Sequence, residues 1–248
     1  MQTPRTTPPG ITFQPDIYPR VVSLLPKAPA RILDVGAGHG HFCKLAQDLG
    51  HHVEACDFDP DLFQLPDVPF HKAEFNQSIP LPDNTYDFAV SIEVLEHLEN
   101  HAAFFREVVR VTKPGGLIIL TTPNVLSIQS RLHYFLYGYT DCAPLPLDPT
   151  RDDYYMQHIG PISVPEIMFH LERNNAQLVD LTTNRIRRGS VVPYALLAPI
   201  LSLALRAKLL RKKHAALHPL YKRHIKWVLH PSNLMGRITI AVGRKNEP

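Results

Sequence analysis

The chain has only three cysteines in 248 residues, with no CxxC pair and no Cys/His cluster at metal-ligand spacing. Neither a disulfide framework nor a zinc site is suggested, and no metal is expected. Cys43, Cys56 and Cys142 read as small buried apolar residues. The opening stretch, MQTPRTTPPGITFQ, has no apolar run, so no secretory leader is read. Residues 1–14 are expected to be a flexible start, and the expected compartment is the cytosol. Acids are nearly missing from the last quarter. From Leu181 onward 14 Lys/Arg face a single acid, Glu247, whereas the preceding residues hold 12 Lys/Arg against 22 acids. The formal net charge of +3 hides this asymmetry, which points to an anionic partner for the C-terminal quarter.

What is present is an alternation of short apolar runs with helix-period segments. QPDIYPRVVSLLP places Ile17, Val21, Val22, Leu24 and Leu25 at helical spacing and stops at Pro26. RILDVGAG then reads as a strand buried on both faces. GHFCKLAQDLG reads as a helix closed by Gly50 at its C′ position, and HVEACDFD as the next strand. VPFHKAEF, FAVSIEVL and LIILTTPN continue the strands, with a helix at HAAFFREVVRVTK and a turn at PGG. Such alternation predicts an open, doubly wound α/β sheet. After Asn124 the rhythm breaks into a helix and a long Tyr-, Pro- and Asp-rich loop, so residues 125–160 are expected to form a lid. It resumes with a helix opened by a Ser163/Glu166 capping box and with strands at AQLVDLTTNRI and GRITIAVGR. The expected core domain is therefore 15–186 plus 235–245, with 187–234 as an insertion between the last two strands.

The glycine turn carries the first chemistry. A dinucleotide fingerprint needs G-x-G-x-x-G, but Gly36, Gly38 and Gly40 are spaced G-x-G-x-G and His41 stands where the third glycine belongs. No Lys-Ser/Thr pair is present, which excludes a triphosphate P-loop. ILDVGAGHGHF instead resembles the first motif of class I S-adenosylmethionine (SAM) dependent methyltransferases. EACDFD, EFNQSIPLPDNTYDFAVSIEVLEHL and REVVRVTKPGGLIILTTPN follow in the order of that family's later motifs, over residues 30–186 and the final strand. The resemblance, to the type 11 group, implies a Rossmann-like, seven-stranded, mostly parallel sheet whose last strand is antiparallel, with helices on both faces. It implies SAM as cofactor and S-adenosylhomocysteine as product. Asp34, Gly36, Ala37, Gly38 and Gly40 would form the cofactor turn, with Asp34 either touching cofactor or ordering the turn. Asp57 would accept the ribose hydroxyls and Phe58 would flank the adenine. Glu74 and Phe75 would read the adenine edge, where the family more often has Asp than Glu, and Ser91 and Ile92 would lie beside the methionine.

Methyl transfer from a sulfonium is an in-line displacement, so the protein positions the acceptor and, for a hydroxyl, supplies a base. His97 in EVLEHL and His158 in MQHIGPIS are the candidate bases, with His133 and the lid tyrosines behind them. Glu93 and Glu96 are candidates to orient such a histidine or to bind a sugar hydroxyl. Tyr134, Tyr137, Tyr139, Tyr154 and Tyr155 read as hydrophobic packing within the lid. The run TTPNVLSIQSRL…GY…HIGPIS resembles bacterial enzymes acting on sugars, lipid-linked sugars and small metabolites, which implies O-methylation of a small-molecule or lipid-linked acceptor. Two alternatives stay open: an RNA methyltransferase gripping its substrate through the basic segment, and a SAM-binding regulatory protein without turnover.

Within the insertion, Val191 to Leu205 is uncharged and mostly apolar but interrupted by Pro193 and Pro199, which reads as too short to cross a bilayer. The cationic half that follows, with Trp227, matches an interfacial amphipathic segment. Residues 191–227 are thus expected to dock on an anionic membrane surface, the inner face of the membrane for a cytosolic protein. The competing reading is core or a homodimer interface. Nucleic-acid phosphates also suit the charge, but no RNA-binding module or aromatic-basic interleaving accompanies it.

Overall fold

The computed structural model describes residues 16–140, 147–151, 153, 156–209 and 218–247. The expectations for residues 1–14, Cys142, Tyr154 and Tyr155 lie outside these. Strands β1 (Arg31–Val35), β2 (His52–Asp57), β3 (Phe70–Lys72), β4 (Tyr86–Ile92), β5 (Thr112–Pro123), β6 (Ala176–Thr182) and β7 (Ile238–Lys245) form one sheet. Their order is β3-β2-β1-β4-β5-β7-β6. β1 to β5 pair parallel, and β7 runs antiparallel between β5 and β6. This is the expected doubly wound, mostly parallel sheet.

Strand alternation sorts the core onto two faces. Leu33, Val35, Ile118 and Leu120 point to one side, where α3 (His101–Val111) and α5 (Val164–Arg173) bury Phe104, Phe105, Val108, Ile167 and Leu171. Ile32, Val53, Ala55 and Ile119 point to the other, where α1 (Ile17–Val22) and α2 (His41–Asp48) bury Ile17, Val21, Phe42 and Cys43. Each such side chain contributes roughly 1.5–3 kcal/mol on leaving water. Cys43 and Cys56 are free and buried, as expected. Gly50 takes φ +85° just beyond α2, the left-handed conformation of a helix C′ residue. At α5 the Ser163 N–H donates to Glu166 Oε2 at 2.8 Å, the return bond of the expected box.

Two local readings are corrected. α3 stops at Val111, and the expected PGG turn lies inside β5 as an interruption of pairing: Tyr86 faces Thr112, but Phe88 faces Leu117. A Cβ on Gly116 would stand 2.9 Å from the Asp87 carbonyl, so the bulge needs a glycine. Between β6 and β7 the chain forms α6 (Val191–Leu209), α7 (His218–Val228) and α8 (Pro231–Met235). α6 is longer than the prolines suggested. Pro193 falls in its first turn, where a missing N–H is no loss, and the helix continues through Pro199. Buried Asn124, at the end of β5, ties α8 to the sheet by donating to the carbonyls of Asn233 (2.8 Å) and Gly236 (2.9 Å).

Candidate active site

Parallel strands present their C-terminal ends on one side of the sheet, and the candidate residues gather there. Gly36 and Ala37 donate to the Cys56 carbonyl at 2.9 and 3.2 Å, which pins the glycine turn to the end of β2. Gly36, Gly38 and Gly40 all have positive φ. The three serve different ends. A Cβ on Gly36 would lie 2.2 Å from Val94 Cγ2, and one on Gly40 2.9 Å from Leu65 Cδ1, so both glycines allow close packing. At Gly38 nothing lies within 4 Å of that position: the turn is open there, room that a ligand backbone or carboxylate can use.

Asp57 ends β2, buried, with Oδ2 accepting the Gly38 N–H at 2.8 Å. Burial raises its pKa, while the N–H groups of Gly38 and Asp59 pull it down. Asp34 is 2% exposed and its Oδ2 accepts the Cys43 S–H at 3.1 Å, so it orders the turn and α2 from beneath. Burial pushes its carboxyl up to about 7. Phe58, next after Asp57, is 37% exposed. Glu74 is exposed, and Phe75 next to it packs its ring edge-on to Phe104 at 6.2 Å in the core. Ser91 is buried at the end of β4, and its hydroxyl has no hydrogen-bond partner among the described residues. Ile92 follows it, packed against the α1/α2 side of the core.

Just past Ile92 the backbone turns sharply through Glu93, which has φ +56°. Thr121 holds it there. Its hydroxyl accepts the Glu93 N–H at 3.0 Å and donates to Glu93 Oε1 at 2.8 Å. Burial pushes the Glu93 carboxyl up to about 7, against the Thr121 bond and the charge of Arg237. Glu96, buried and accepting from the Thr122 hydroxyl at 3.1 Å, is raised well above the ordinary carboxylate range by burial and then by Glu93. Tyr18 of α1 belongs to the same neighbourhood, its phenol raised to about 12 by burial and by the charges of Asp34 and Glu93. Sequence reasoning missed Tyr18, Thr121 and Arg237, which come from distant segments. The apolar spacing that placed Tyr18 on a helix was the one available signal.

The two histidine candidates, far apart in sequence, are neighbours. The rings of His97 and His158 lie edge to face with centroids 5.0 Å apart. One donor atom from each of Glu96, His97 and His158 falls within 4.8 Å of the others, a cluster that the sequence spacing did not reveal. The lid is tied to this point. His97 Nδ1 bonds the Gln157 carbonyl at 3.1 Å, and the Gly160 N–H donates to the Glu96 carbonyl at 2.8 Å. A Cβ on Gly160 would meet the Leu98 carbonyl at 2.2 Å, which explains a glycine in HIGPIS. His133 instead faces the Tyr139 carbonyl at 3.0 Å, beside the Tyr137 ring.

Further corrections concern the outer surface. On α4 (Ile128–Tyr137), Tyr134 stands exposed and Tyr137, though it touches the His133 and Tyr139 rings, is also largely exposed, with Phe135 83% exposed between them. α6 is apolar on every side and equally open: Val192, Leu196, Ile200 and Leu203 line one stripe, the last 70% exposed. Residues 188–208, with mean hydropathy 1.6, are long and apolar enough by length and composition to cross a membrane, which corrects the reading that this run is too short. Topology argues otherwise. β6 and β7 flank the insertion and pair in one sheet, so the chain must return to the side it left. Among the described residues between α6 and β7, the eleven-residue α7 carries Lys222, Arg223 and Lys226 and α8 has five residues, so neither helix suits a second crossing of about 20 apolar residues. Trp227 is corrected too. It is 7% exposed in the core, with Lys226 Nζ 4.2 Å above its ring, and does not face the surface.

Comparison with known proteins matches residues 13–179 to a methyltransferase domain family. A probable SAM-dependent methyltransferase of Mycobacterium tuberculosis is 34% identical over 111 residues, 43% of this chain and 40% of that one. A malonyl-[acyl-carrier protein] O-methyltransferase of Serratia marcescens is 30% identical over 122 residues, 47% of this chain and 48% of that one. The aligned region thus spans less than half the length of these relatives. The crystal structure of a SAM-dependent methyltransferase from Mesorhizobium loti superposes with a TM-score of 0.54 at 16% identity, over 93% of this chain and 98% of that one.

Proposed function

The chain belongs to the methyltransferase domain family, with the class I SAM-dependent fold, and from that premise we propose that it transfers the methyl group of SAM to an oxygen of a lipid-linked acceptor. The observation that carries the reading is the set of buried carboxyls at the ends of β1, β2 and β4. Asp34, Asp57 and Glu96 are buried at this end of the sheet and Glu93 is half-buried; burial raises all four carboxyls above their ordinary range, and a cation bound beside them favours their ionised forms. SAM brings two, a sulfonium and an ammonium. Asp57 offers its carboxylate to the ribose, the opening at Gly38 admits the methionine end, and the Ser91 hydroxyl offers an unused donor and acceptor beside it.

On the acceptor side, the Glu96/His97/His158 cluster is the place for activating an attacking hydroxyl, because it follows Ser91 directly and is roofed by the lid. The Serratia relative, named for O-methylation, supports oxygen as the methylated atom. The lipid-linked acceptor is supported by the surface. α4 and α6 both pack against α8 and present Phe135, Leu196, Ile200 and Leu203 to solvent, while Arg206, Lys208, Lys222 and Lys226 supply positive charge nearby. An apolar, aromatic and cationic surface of this kind suits the interface of an anionic bilayer. The helix lies in that interface, and the lid faces the headgroups.

The test is label transfer. Methyl-labelled SAM is incubated with the protein and anionic vesicles carrying a total bacterial lipid extract. Label recovered in the organic phase, with release of S-adenosylhomocysteine, is expected. His97→Ala should lower that rate at least ~10-fold, in line with loss of proton-transfer assistance, with SAM affinity retained. No release with this extract, or label recovered in added RNA instead, contradicts the reading.

A further inference from the structure

We propose that Arg131 of α4 is the receptor for the phosphate group of a lipid-linked acceptor, holding it between the exposed aromatic side chains of that helix and the end of β5. The assignment rests on the proposed function only for what the phosphate is attached to.

An arginine is rarely drawn out of water without an anion beside it. Arg110 follows that rule: its half-buried guanidinium meets Asp83 at 2.6 Å and Glu107 at 2.8 Å. Arg131 does not. It too is half-buried, early in α4, yet no acid pairs with it among the described residues, and burial alone acts on its pKa, pulling it down. Its side chain makes one hydrogen bond among these residues, from Nε to the Leu126 carbonyl at 2.8 Å. Of the five N–H groups of a guanidinium, the four on Nη1 and Nη2 are left over. Neither of these nitrogens is sealed from solvent. The open end of the fork fits two oxygens of a phosphate.

The position of the fork points to the kind of phosphate. α4 leaves the sheet just after β5: its cap Ser127 and Ser130 are buried, whereas Tyr134 to Tyr137 stand exposed. Arg131 lies on the turn between, on the side it shares with Tyr134 and Phe135, which follow at i+3 and i+4, about 6 Å along the axis. A helical side chain leans toward the N-terminus of its helix. The bond to Leu126 shows Arg131 leaning so, back toward β5, where Thr121 and Thr122 hold Glu93 and Glu96. From the sheet outward the chain thus sets out carboxyl and imidazole groups, then a cation, then exposed aromatic rings. A lipid-linked sugar has its parts in the same order: hydroxyls, a phosphate linkage and a hydrocarbon chain. With the phosphate on Arg131, the hydrocarbon runs along Phe135 and the sugar extends toward the end of β5. Free phosphate offers the fork the same oxygens, and the apolar contacts separate the two sources.

The test is calorimetry on the full chain without vesicles or acceptor, with octyl phosphate below its micelle concentration and inorganic phosphate as the two probes. Octyl phosphate is expected to bind with one equivalent per chain, at least ~10-fold more tightly than inorganic phosphate, which has no chain to bury. In Arg131→Ala and Arg131→Gln its affinity should fall at least ~10-fold, in line with the loss of charged hydrogen bonds. Gln still offers an N–H to the Leu126 carbonyl, so this variant is expected to keep wild-type SAM affinity and Tm, and it decides the matter should the Ala variant unfold. Lys27→Ala removes an exposed cation ahead of β1, at the opposite end of the sheet, and should bind octyl phosphate as the wild type does. Four results overturn the assignment: no binding by the wild type, undiminished binding or lost SAM affinity in Arg131→Gln, equal affinity for the two probes, or equal weakening in Lys27→Ala. Label transfer is judged apart from it. Transfer that persists without phosphate binding removes only the role of Arg131, and phosphate binding without transfer to lipid removes only the methylated acceptor.

Discussion

The two ends of the candidate active site are built in opposite ways. The cofactor end is backbone and buried charge: a glycine turn bonded to the Cys56 carbonyl, Asp57 capping Gly38, and Asp34 and Cys43 sealed beneath. The proposed acceptor end is side chain and open surface: the segment at Gln157 and Gly160 tied to His97 and Glu96, and, on α4 and α6 packed on α8, apolar residues that stand exposed. A cofactor common to a whole family calls for a rigid receptor with fixed polar groups. An acceptor that differs between members calls for a surface that can be rebuilt without touching the sheet. The insertion meets that need, since it leaves and rejoins the sheet between the adjacent strands β6 and β7.

The largest effect that sharpens this contrast lies in the buried charge. Asp34 has its folded pKa raised to about 7, above the ordinary carboxylate value it regains on unfolding. Between about pH 4 and 7 the folded state then binds more protons than the unfolded one, so its stability falls as pH rises through that window and is flat above it. Without cofactor the loss attributable to Asp34 amounts to at most about 4 kcal/mol. Thermal unfolding at pH 5 and pH 8 should show the wild type losing more stability than Asp34→Asn; parallel slopes for the two would remove Asp34 from the account. A smaller effect is expected at the ribose contact. Asp57→Ala deletes a charged acceptor worth about 1.5–3 kcal/mol, so calorimetry should find SAM affinity reduced roughly 10- to 100-fold. Unchanged affinity would show that the ribose is held elsewhere.

The same contrast explains what could be read from the sequence. Local patterns were enough for the cofactor end. Glycines at alternate positions, an acid at the end of the next strand and apolar runs of strand length are all short-range signals, and β1 to β4 lie where they predict. The capping box at Ser163 and the C′ glycine at Gly50 were legible for the same reason. The acceptor end depends on long-range contacts. Nothing in EVLEHL or MQHIGPIS shows that His97 and His158 stand edge to face, or that Thr121 and Thr122 of β5 hold the two glutamates. Phe75, which the family resemblance assigns to the adenine edge, and Trp227, read as part of an interfacial segment, are apolar side chains that the tertiary fold draws into the core. Pro199 misled in the other direction, since α6 continues through it.

The account turns on the division of labour between the two ends, and one variant separates them. Leu196, Ile200 and Leu203, replaced together by Ser, alter only exposed positions of α6. With methyl-labelled SAM and acceptor-bearing anionic vesicles, the triple variant should bind SAM with wild-type affinity and keep its Tm, yet lose pelleting with the vesicles and transfer label several-fold more slowly. Wild-type rates of transfer to the same vesicles would contradict the claim that α6 brings the site to its acceptor.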